Sequence, residues 1–324
     1  MENVLYIVVP CYNEQEVIVE TAEILKNKLE FLISKKKISH KSKILFVNDG
    51  SYDRTWEIIK ELNIKNSIFT GIKLSKNEGH QNALLAGLLS VKERCDMAIS
   101  IDADLQDDVD TIDCMVDRYI NGFDIVYGVR KDRKKDSFFK KKSAEAFYKI
   151  MNMLGAKTIY NHADFRLMSK RAIYSLEQFT EVNLFLRGII PMIGFKSCSV
   201  YYSRKERKAG ISKYPLHKMI TFAVNGITSC SVKLMHIIFL TGIFSILSSV
   251  IMTIYCLISL VNSKTVSGWT SLMTSIWAIG GMILVSLGII GEYIGKIYME
   301  TKRRPRFVIS EMLGSNSSKN LKAN

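Results

Sequence analysis

The sequence predicts an α/β protein whose mostly parallel sheet is flanked by helices and followed by a C-terminal transmembrane helical hairpin. Short apolar runs alternate with polar turns and helical segments from residue 5 to residue 130, and this alternation is typical of a parallel sheet. Residues 234–261 and 269–291 contain no Asp, Glu, Lys or Arg, and about 20 apolar residues suffice to cross a bilayer. An apolar content of 48% in 324 residues excludes a disordered chain.

The first predicted strand and helix lie at the start of the chain. Residues 5–9 form an apolar run rich in β-branched residues, which predicts a buried strand that Pro10 stops. Asn13 with Glu16 three residues later is typical of a helix start. We therefore expect a helix that runs to about Leu32 and opens the first β–α unit.

Polar clusters follow the next predicted strands as well. The strands cover residues 44–47, 68–74, the residues up to Ile101, and 125–129, and the segments that follow them are residues 48–51, 77–82, 102–107 and 130–142. The carboxyl ends of parallel strands meet at one edge of a sheet, where α/β proteins bind ligands. We therefore expect the polar clusters to share one rim.

Two carboxylates, Asp102 and Asp104, stand one residue apart after the fourth strand. Side chains at i and i+2 of an extended chain point the same way, so the pair is predicted to converge on one Mg²⁺ or Mn²⁺. Gln106 continues the same face and adds an amide oxygen. Because magnesium takes few protein ligands together with substrate phosphates, the segment favours a metal shared with a diphosphate. The alternative for so short a motif is an acidic surface turn.

Three of these segments carry a resemblance to a known family. They read Val-Pro-Cys-Tyr-Asn-Glu at residues 9–14, Val-Asn-Asp-Gly-Ser at residues 47–51 and Asp-Ala-Asp-Leu-Gln-Asp at residues 102–107. Together they resemble the signatures of family 2 glycosyltransferases with a GT-A fold, and more narrowly the polyprenyl-phosphate sugar transferases. The resemblance omits only the C-terminal tail. Asp107-Asp108 stands where the family often has proline soon after the Leu-Gln pair.

The resemblance implies a role for each matching residue. Those implied to bind the nucleotide sugar are Pro10, Tyr12, Glu14, Asp49, Ser51, Asp102, Arg207 and Lys213. Arg130 is added to the nucleotide-sugar site for phosphate contact because it opens a basic run just past a predicted strand, in which Lys142 is a weaker candidate. The acceptor phosphate is assigned to Lys142 and Ser212, the metal to Asp102, Asp104 and Gln106, and catalysis to Asp102, Asp104 and Asp164. Some of these residues also have an alternative role that is only structural: a half-buried aromatic for Tyr12, a first-turn helix charge for Glu14, a turn for Ser51 and an ion pair of Asp164 with Arg166 or Arg171. We expect His162 to be a loop residue.

The charge pattern indicates the class of partner, and the cysteine spacing indicates the redox state of the thiols. The net charge of +14 is clustered in basic runs, which indicate anionic lipid or phosphorylated substrates. No zinc-finger spacing or RNA-binding signature accompanies the runs, so no nucleic-acid partner is expected. The six cysteines form no CxxC pair, which favours reduced thiols. The N-terminal residues lack the pattern of a signal peptide, and none is expected.

The hydropathy pattern, together with the fold that the resemblance implies, predicts four segments. These are a cytoplasmic GT-A catalytic domain at residues 1–214, an interfacial amphipathic helix at 215–233, two transmembrane helices at 234–296 and a basic cytoplasmic segment at 297–324, whose last ten residues are expected to be disordered. Basic residues flank the apolar stretches on one side, so both termini and the catalytic domain are predicted to face the cytoplasm from the inner or plasma membrane. The resemblance implies a homo-oligomer, with a tetramer as one form.

The resemblance implies an inverting transfer of one sugar to undecaprenyl or another polyprenyl phosphate, with UDP-glucose as the first donor to consider. UDP-N-acetylglucosamine or another donor stays open as an alternative. A processive polysaccharide synthase carries a Gln-x-x-Arg-Trp motif. None of the three tryptophans, Trp56, Trp269 and Trp277, ends such a motif, so this activity is disfavoured. The third alternative is a non-catalytic membrane nucleotide-binding protein.

Overall fold

A computed structural model describes residues 3–131, 162–181, 185–203 and 268–314, with isolated helical positions at 240, 244, 251 and 254. The strands are β1 Leu5–Cys11, β2 Lys43–Asn48, β3 Phe69–Leu74, β4 Met97–Ser100, β5 Ile125–Arg130, β6 His162–Ser169, β7 Ser197–Tyr202 and β8 Ile309–Leu313. The helices are α1 Ile18–Ser34, α2 Thr55–Lys65, α3 His80–Val91, α4 Thr111–Ile120, α5 Lys170–Glu177, α6 Leu186–Met192 and α7 Trp269–Thr301.

The strands form one mixed sheet in the order β7-β5-β6-β4-β1-β2-β3-β8. Parallel pairing joins β4, β1, β2 and β3, and also β5 and β7, whereas β6 and β8 run antiparallel to their neighbours. The carboxyl ends of six strands therefore share one edge of the sheet with the amino ends of β6 and β8. The predicted α/β fold with a mostly parallel sheet is confirmed.

Helices cover both faces of the sheet. Alternate residues of β1 enter two separate cores: Ile7 and Val9 pack with α1, α2 and α4, whereas Tyr6 and Val8 pack with α3, α5 and α6. This alternation follows from the two-residue period of a strand. The sheet is thus buried on both sides, as its continuous apolar runs predicted.

The prediction that Pro10 stops the first strand is wrong. β1 continues through Pro10 to Cys11, and Pro10 pairs with Val47 of β2. The carbonyl of Cys11 accepts from Asp49 N, so the backbone groups of Cys11 point toward β2. Because successive residues of a strand point to alternate neighbouring strands, the backbone of Pro10 points toward β4. There β4 has already ended at Ser100, and the missing N–H of proline costs no ladder hydrogen bond.

The predicted helix start at Asn13 is also wrong. Asn13 adopts a φ of 53°, and α1 begins four residues after Glu14, at Ile18, without a side-chain cap. The Asn13 side chain instead accepts a hydrogen bond from Tyr52 N at 3.0 Å. The Asn13 side chain therefore ties the segment after β1 to the segment after β2 instead of capping α1.

The C-terminal region contains one described apolar helix. Residues Ile279–Thr301 of α7 are long and apolar enough to cross a membrane, and they are the single candidate in the part of the chain that is described. Apolar side chains such as Leu284 and Val285 are 71% and 64% exposed. The predicted residues 215–233 and nearly all of 234–261 lie outside the described residues, so the hairpin stays a prediction.

Strand β8 was not anticipated in the segment at residues 297–324. It adds to the open edge of β3, with Ile72 opposite Met312. Glu311 lies 2.8 Å from Lys60 and 3.8 Å from Lys73, which fixes the strand to α2 and β3. The chain therefore returns to the sheet after α7. Residues 315–324 lie outside the described residues.

Candidate active site

The polar segments predicted to share a rim do meet at one edge of the sheet. Asn13 N donates to Ser51 Oγ at 3.0 Å, which joins the segments after β1 and β2. Asp49 Oδ1 and Oδ2 accept from the backbone N–H groups of Glu78 and Gly79, at 2.8 and 3.0 Å. That prediction is confirmed for the segments after β1, β2 and β3, and the Asp49 carboxylate links the last two of them. Residues 132–142 of the last predicted segment lie outside the described residues.

The Asp49 carboxylate binds backbone N–H groups in this arrangement. Its side chain is buried, and burial raises its pKa despite the two hydrogen bonds from backbone amides. Next to it, Gly50 has a φ of +62°, and a Cβ at that position would stand 2.5 Å from Asn77 N. Only glycine permits both this backbone conformation and this close approach.

The carboxylate pair lies in a turn instead of an extended strand. β4 ends at Ser100, Leu105 N donates to Asp102 O at 3.3 Å, and Leu105 has a φ of 45°. Asp104 Oδ1 accepts from Gln106 N at 3.2 Å. The argument from extended geometry is therefore wrong, although both carboxylates stay at the rim. We call residues 101–107 the carboxylate turn.

His80, at the start of α3, stands between two of the predicted catalytic residues. Its Nε2 atom lies 3.6 Å from Asp102 Oδ1 and 3.5 Å from Asp164 Oδ2. Burial lowers the pKa of His80, but the hydrogen bond to Asp164 and the charge of Asp102 outweigh it and raise the pKa to about 9. His80 is therefore an imidazolium at neutral pH, and it connects the carboxylate turn to β6.

Asp164 is enclosed by cations. Arg166 Nη2 donates to Oδ1 at 2.5 Å, and Arg187 donates from Nε to Oδ1 at 3.2 Å and from Nη2 to Oδ2 at 2.9 Å. Burial would raise the pKa of Asp164, but Arg187, His80 and Arg166 together hold it well below its ordinary value. Asp164 is ionised at neutral pH and is a weak proton acceptor.

The residues of the carboxylate turn suit a divalent cation whose coordination is completed by substrate phosphates. No three His, Cys, Asp or Glu residues in the described ranges form a metal-binding group. The pKa of Asp102 is raised by burial and by the charges of Asp107, Asp164 and Asp104, although His80 opposes this rise. A carboxylate that its neighbours destabilise is one that a cation stabilises. Hard oxygen donors of this kind, few in number, suit a metal held jointly with phosphates.

The family model described as "Glycosyl transferase family 2" matches residues 6–176, which span β1 to α5. The chain belongs to this family. The family match thus covers the carboxylate turn, His80 and Asp164.

Two relatives that are similar in sequence agree with membership of glycosyl transferase family 2. The "Uncharacterized glycosyltransferase YkoT" of Bacillus subtilis (strain 168) is 55% identical over 94% of this chain and 91% of its own length. The "Bactoprenol glucosyl transferase" of Shigella phage SfV is 37% identical over 94% of this chain and 97% of its own. Among solved structures, mannosyl-3-phosphoglycerate synthase from Rubrobacter xylanophilus is 14% identical, with a TM-score of 0.47 over 69% of this chain and 71% of that one.

The other residues assigned to nucleotide-sugar binding in this family 2 enzyme have varied surroundings. Tyr12 makes an edge-to-face contact with Tyr52, with ring centroids 6.5 Å apart. Glu14 N donates to Thr55 Oγ1 at 3.0 Å. Pro10 is buried within β1. Their contacts with a donor stay predictions.

Arg130 and Ser51 are already engaged by protein groups. Arg130 Nη2 donates to Asp107 Oδ1 at 3.2 Å. Ser51 N donates to Asn48 Oδ1 at 3.1 Å, as the turn alternative expects. A role for either residue in binding the donor stays a prediction. Arg207, Lys213, Lys142 and Ser212 lie outside the described residues.

The acceptor-side segment differs in part from the predictions. The ion pair of Asp164 with Arg166 is present, but Arg171 pairs with Asp124 instead. His162 is the first residue of β6 and not a loop residue.

Sequence reasoning missed several residues of the site. His80 was noted only as part of a polar cluster, and Arg187 and Tyr202 were not singled out at all. Arg187 sits in α6, where Leu186 N donates to Gln81 Oε1 at 2.8 Å. The partners of these residues are distant in sequence, so the one available signal was the place of His80 in the polar segment that follows a predicted strand.

Proposed function

We propose that this protein transfers a single sugar from a nucleotide diphosphate sugar to a polyprenyl phosphate at the cytoplasmic face of a membrane. The observation that carries the proposal is the convergence of Asp102 and Asp164 on His80 at the carboxyl edge of the sheet. Relatives named bactoprenol glucosyl transferase match almost the full chain, which supports a polyprenyl phosphate acceptor and makes UDP-glucose the first donor to test.

Asp102 and Asp104, with Gln106, are the residues that would hold a divalent cation, Mg²⁺ or Mn²⁺. When bound, the cation supplies positive charge that stabilises the departing nucleotide diphosphate. Arg130 ends β5 at the same edge and is proposed to contact the donor phosphates. Tyr12, Glu14 and Ser51 are proposed to line the nucleotide pocket, where Asp49 holds the backbone of the neighbouring segment in place.

The nucleophile needs little help from a base. A phosphate monoester has a second pKa of about 6, so the acceptor phosphate is largely a dianion at neutral pH. Asp164, which its cationic neighbours keep ionised, is accordingly proposed to orient the acceptor and to stabilise positive charge at the sugar. Direct attack by the acceptor oxygen, with departure of the nucleotide diphosphate, inverts the anomeric carbon.

The membrane part of the proposal rests on α7 and on the charge pattern. Exposed apolar side chains on α7 and basic residues just beyond it favour a helix whose C-terminal end lies at the cytoplasmic surface. A membrane-anchored catalytic domain can reach an acceptor that is itself confined to the bilayer. Two spans, cytoplasmic termini and assembly into a homo-oligomer are proposed with it.

The test uses the purified full-length protein in detergent or vesicles. Radiolabelled UDP-glucose and UDP-N-acetylglucosamine are each incubated with undecaprenyl phosphate, with Mg²⁺, with Mn²⁺ and with a chelator. We expect one labelled sugar on the lipid only when a divalent cation is present. A polymer would instead identify a processive synthase, and protein that binds the nucleotide without transfer would identify a non-catalytic nucleotide-binding protein.

Asp102→Asn serves as the matched inactive control. It keeps the shape of the side chain and removes its charge. Transfer by this variant at the wild-type rate would contradict the proposed site.

A further inference from the structure

A buried polar cluster closes the end of the carboxylate turn. Tyr202 Oη donates to Asp107 Oδ1 at 2.5 Å, and Arg130 donates from Nη2 to the same oxygen at 3.2 Å and from Nε to Tyr202 Oη at 3.2 Å. Asp107 is 1% exposed and Tyr202 3%. Because Arg130 ends β5 and Tyr202 ends β7, the cluster fastens the turn to two strands at once.

The carboxylate turn depends on such anchors. Leu105 has a φ of 45°, a backbone conformation that is uncommon for a residue with a Cβ and persists only where the surroundings impose it. At its start the turn is held by Ile101 N, which donates to Val8 O at 3.1 Å, and by Thr21 Oγ1, which donates to Ala103 O at 2.6 Å. Asp107 provides the corresponding anchor at the other end.

The second carboxylate oxygen of Asp107 argues for a functional reason to keep this residue. Asp107 Oδ2 is buried and has no hydrogen-bond partner within the described ranges. A buried oxygen without a partner costs folding free energy. Burial of Asp107 therefore costs folding free energy at Oδ2, whereas its Oδ1 atom accepts the two hydrogen bonds that fix the turn.

We propose that Asp107 and Tyr202 are positioning residues that hold the carboxylate turn in the conformation in which Asp102 and Asp104 receive a divalent cation. This inference rests on the proposed function in taking those two residues as metal ligands. Asp107 and Tyr202 act through the turn and touch neither substrate nor metal. Outer residues of this kind commonly tune metal affinity without joining the ligands.

Tyr202→Phe tests the proposal because it removes one hydroxyl and leaves the ring in place. Tyr201→Phe is the matched control, since Tyr201 is the preceding residue of β7 and is 59% exposed. Binding of Mn²⁺ to the full-length protein in the presence of UDP is measured by the electron paramagnetic resonance signal of free Mn²⁺. Thermal unfolding is followed in parallel.

The Kd for Mn²⁺ should rise about tenfold in Tyr202→Phe, the low end of the effect of losing an outer-shell partner. The control should bind Mn²⁺ like the wild type. Sugar transfer by Tyr202→Phe should recover most of its turnover at saturating Mn²⁺, because the ligands themselves are intact. A purely structural role would lower the unfolding temperature without this split.

Asp107→Asn separates position from charge. The amide oxygen still accepts from Tyr202, so Mn²⁺ affinity should fall less than in Tyr202→Phe. Weaker binding in Asp107→Asn with unchanged binding in Tyr202→Phe would overturn the proposal in favour of a charge effect. Wild-type affinity in both variants, or no Mn²⁺ binding by the wild type, would overturn it too. Mn²⁺ binding that depends on Tyr202 in a protein without transferase activity would support this inference and refute the proposed function.

Discussion

Arg187 is the residue whose removal best tests the charge network around Asp164. Arg187→Gln removes two hydrogen bonds to the carboxylate, at 3.2 and 2.9 Å. A hydrogen bond to a charged group contributes about 1.5–3 kcal/mol. Arg187 is 32% exposed and Arg166 stays beside Asp164, so screening and the remaining partner reduce the effect. We expect the free energy of unfolding to fall by about 2 kcal/mol, which lowers the unfolding temperature of a domain of this size by about 4–8 °C.

The assay is thermal unfolding of the full-length protein in detergent, with sugar transfer measured on the same samples. Turnover should fall at least about tenfold, because a carboxylate that shifts in the site loses its alignment with the substrate. Arg54→Gln is the control: Arg54 is 72% exposed and lies 3.9 Å from Glu57 and Glu61, so its loss should cost under about 0.5 kcal/mol. Equal unfolding temperature and turnover in Arg187→Gln and the control would refute the network.

Three further changes have defined outcomes. Asp164→Asn should lower turnover about 100-fold with little change in the KM of the donor, and a wild-type rate would end the role assigned to Asp164. Arg171 lowers the pKa of Asp124 from 3.8, so their pairing stabilises the fold fully above pH 3.8 and is lost as the pH falls through the lowered value; Asp124→Asn should flatten the acid side of a plot of unfolding temperature against pH. Gly50→Ala should destabilise the protein by about 2 kcal/mol or more, and more than Gly122→Ala, whose added Cβ would meet no neighbour within 4 Å; equal effects would show that contact with the neighbouring backbone is unimportant.

The strands and the rim were predictable because they follow from local pattern. Apolar runs such as residues 44–47 mark strands by their composition, and the parallel arrangement then places Asp49 and Asp102 at one edge. Pro10 shows where the local rule stops. Whether a proline ends a strand depends on which neighbour its nitrogen faces, and that is decided by where β4 ends.

Residues whose role depends on distant partners were not predictable. Tyr202 meets Asp107 across 95 positions of sequence, and His80 meets Asp164 through a fold that no local pattern encodes. β8 is a five-residue strand within the mostly apolar residues 307–313. Their composition is compatible with a strand, but it does not indicate that the strand pairs with the edge of β3. The turn at Leu105 was misjudged for the same reason, because its backbone is imposed by contacts with other elements.

The return of the chain at β8 affects the order in which the protein can mature. The ribosome makes β3 early but reaches Leu313 only about 240 residues later, which at about 5–20 residues per second takes roughly 10–50 s. During that interval the outer edge of β3 is bare, and a bare edge invites pairing with other nascent chains. The apolar helix α7 is also translated before β8. Completion of the sheet is therefore a late event that follows synthesis of the apolar helix α7.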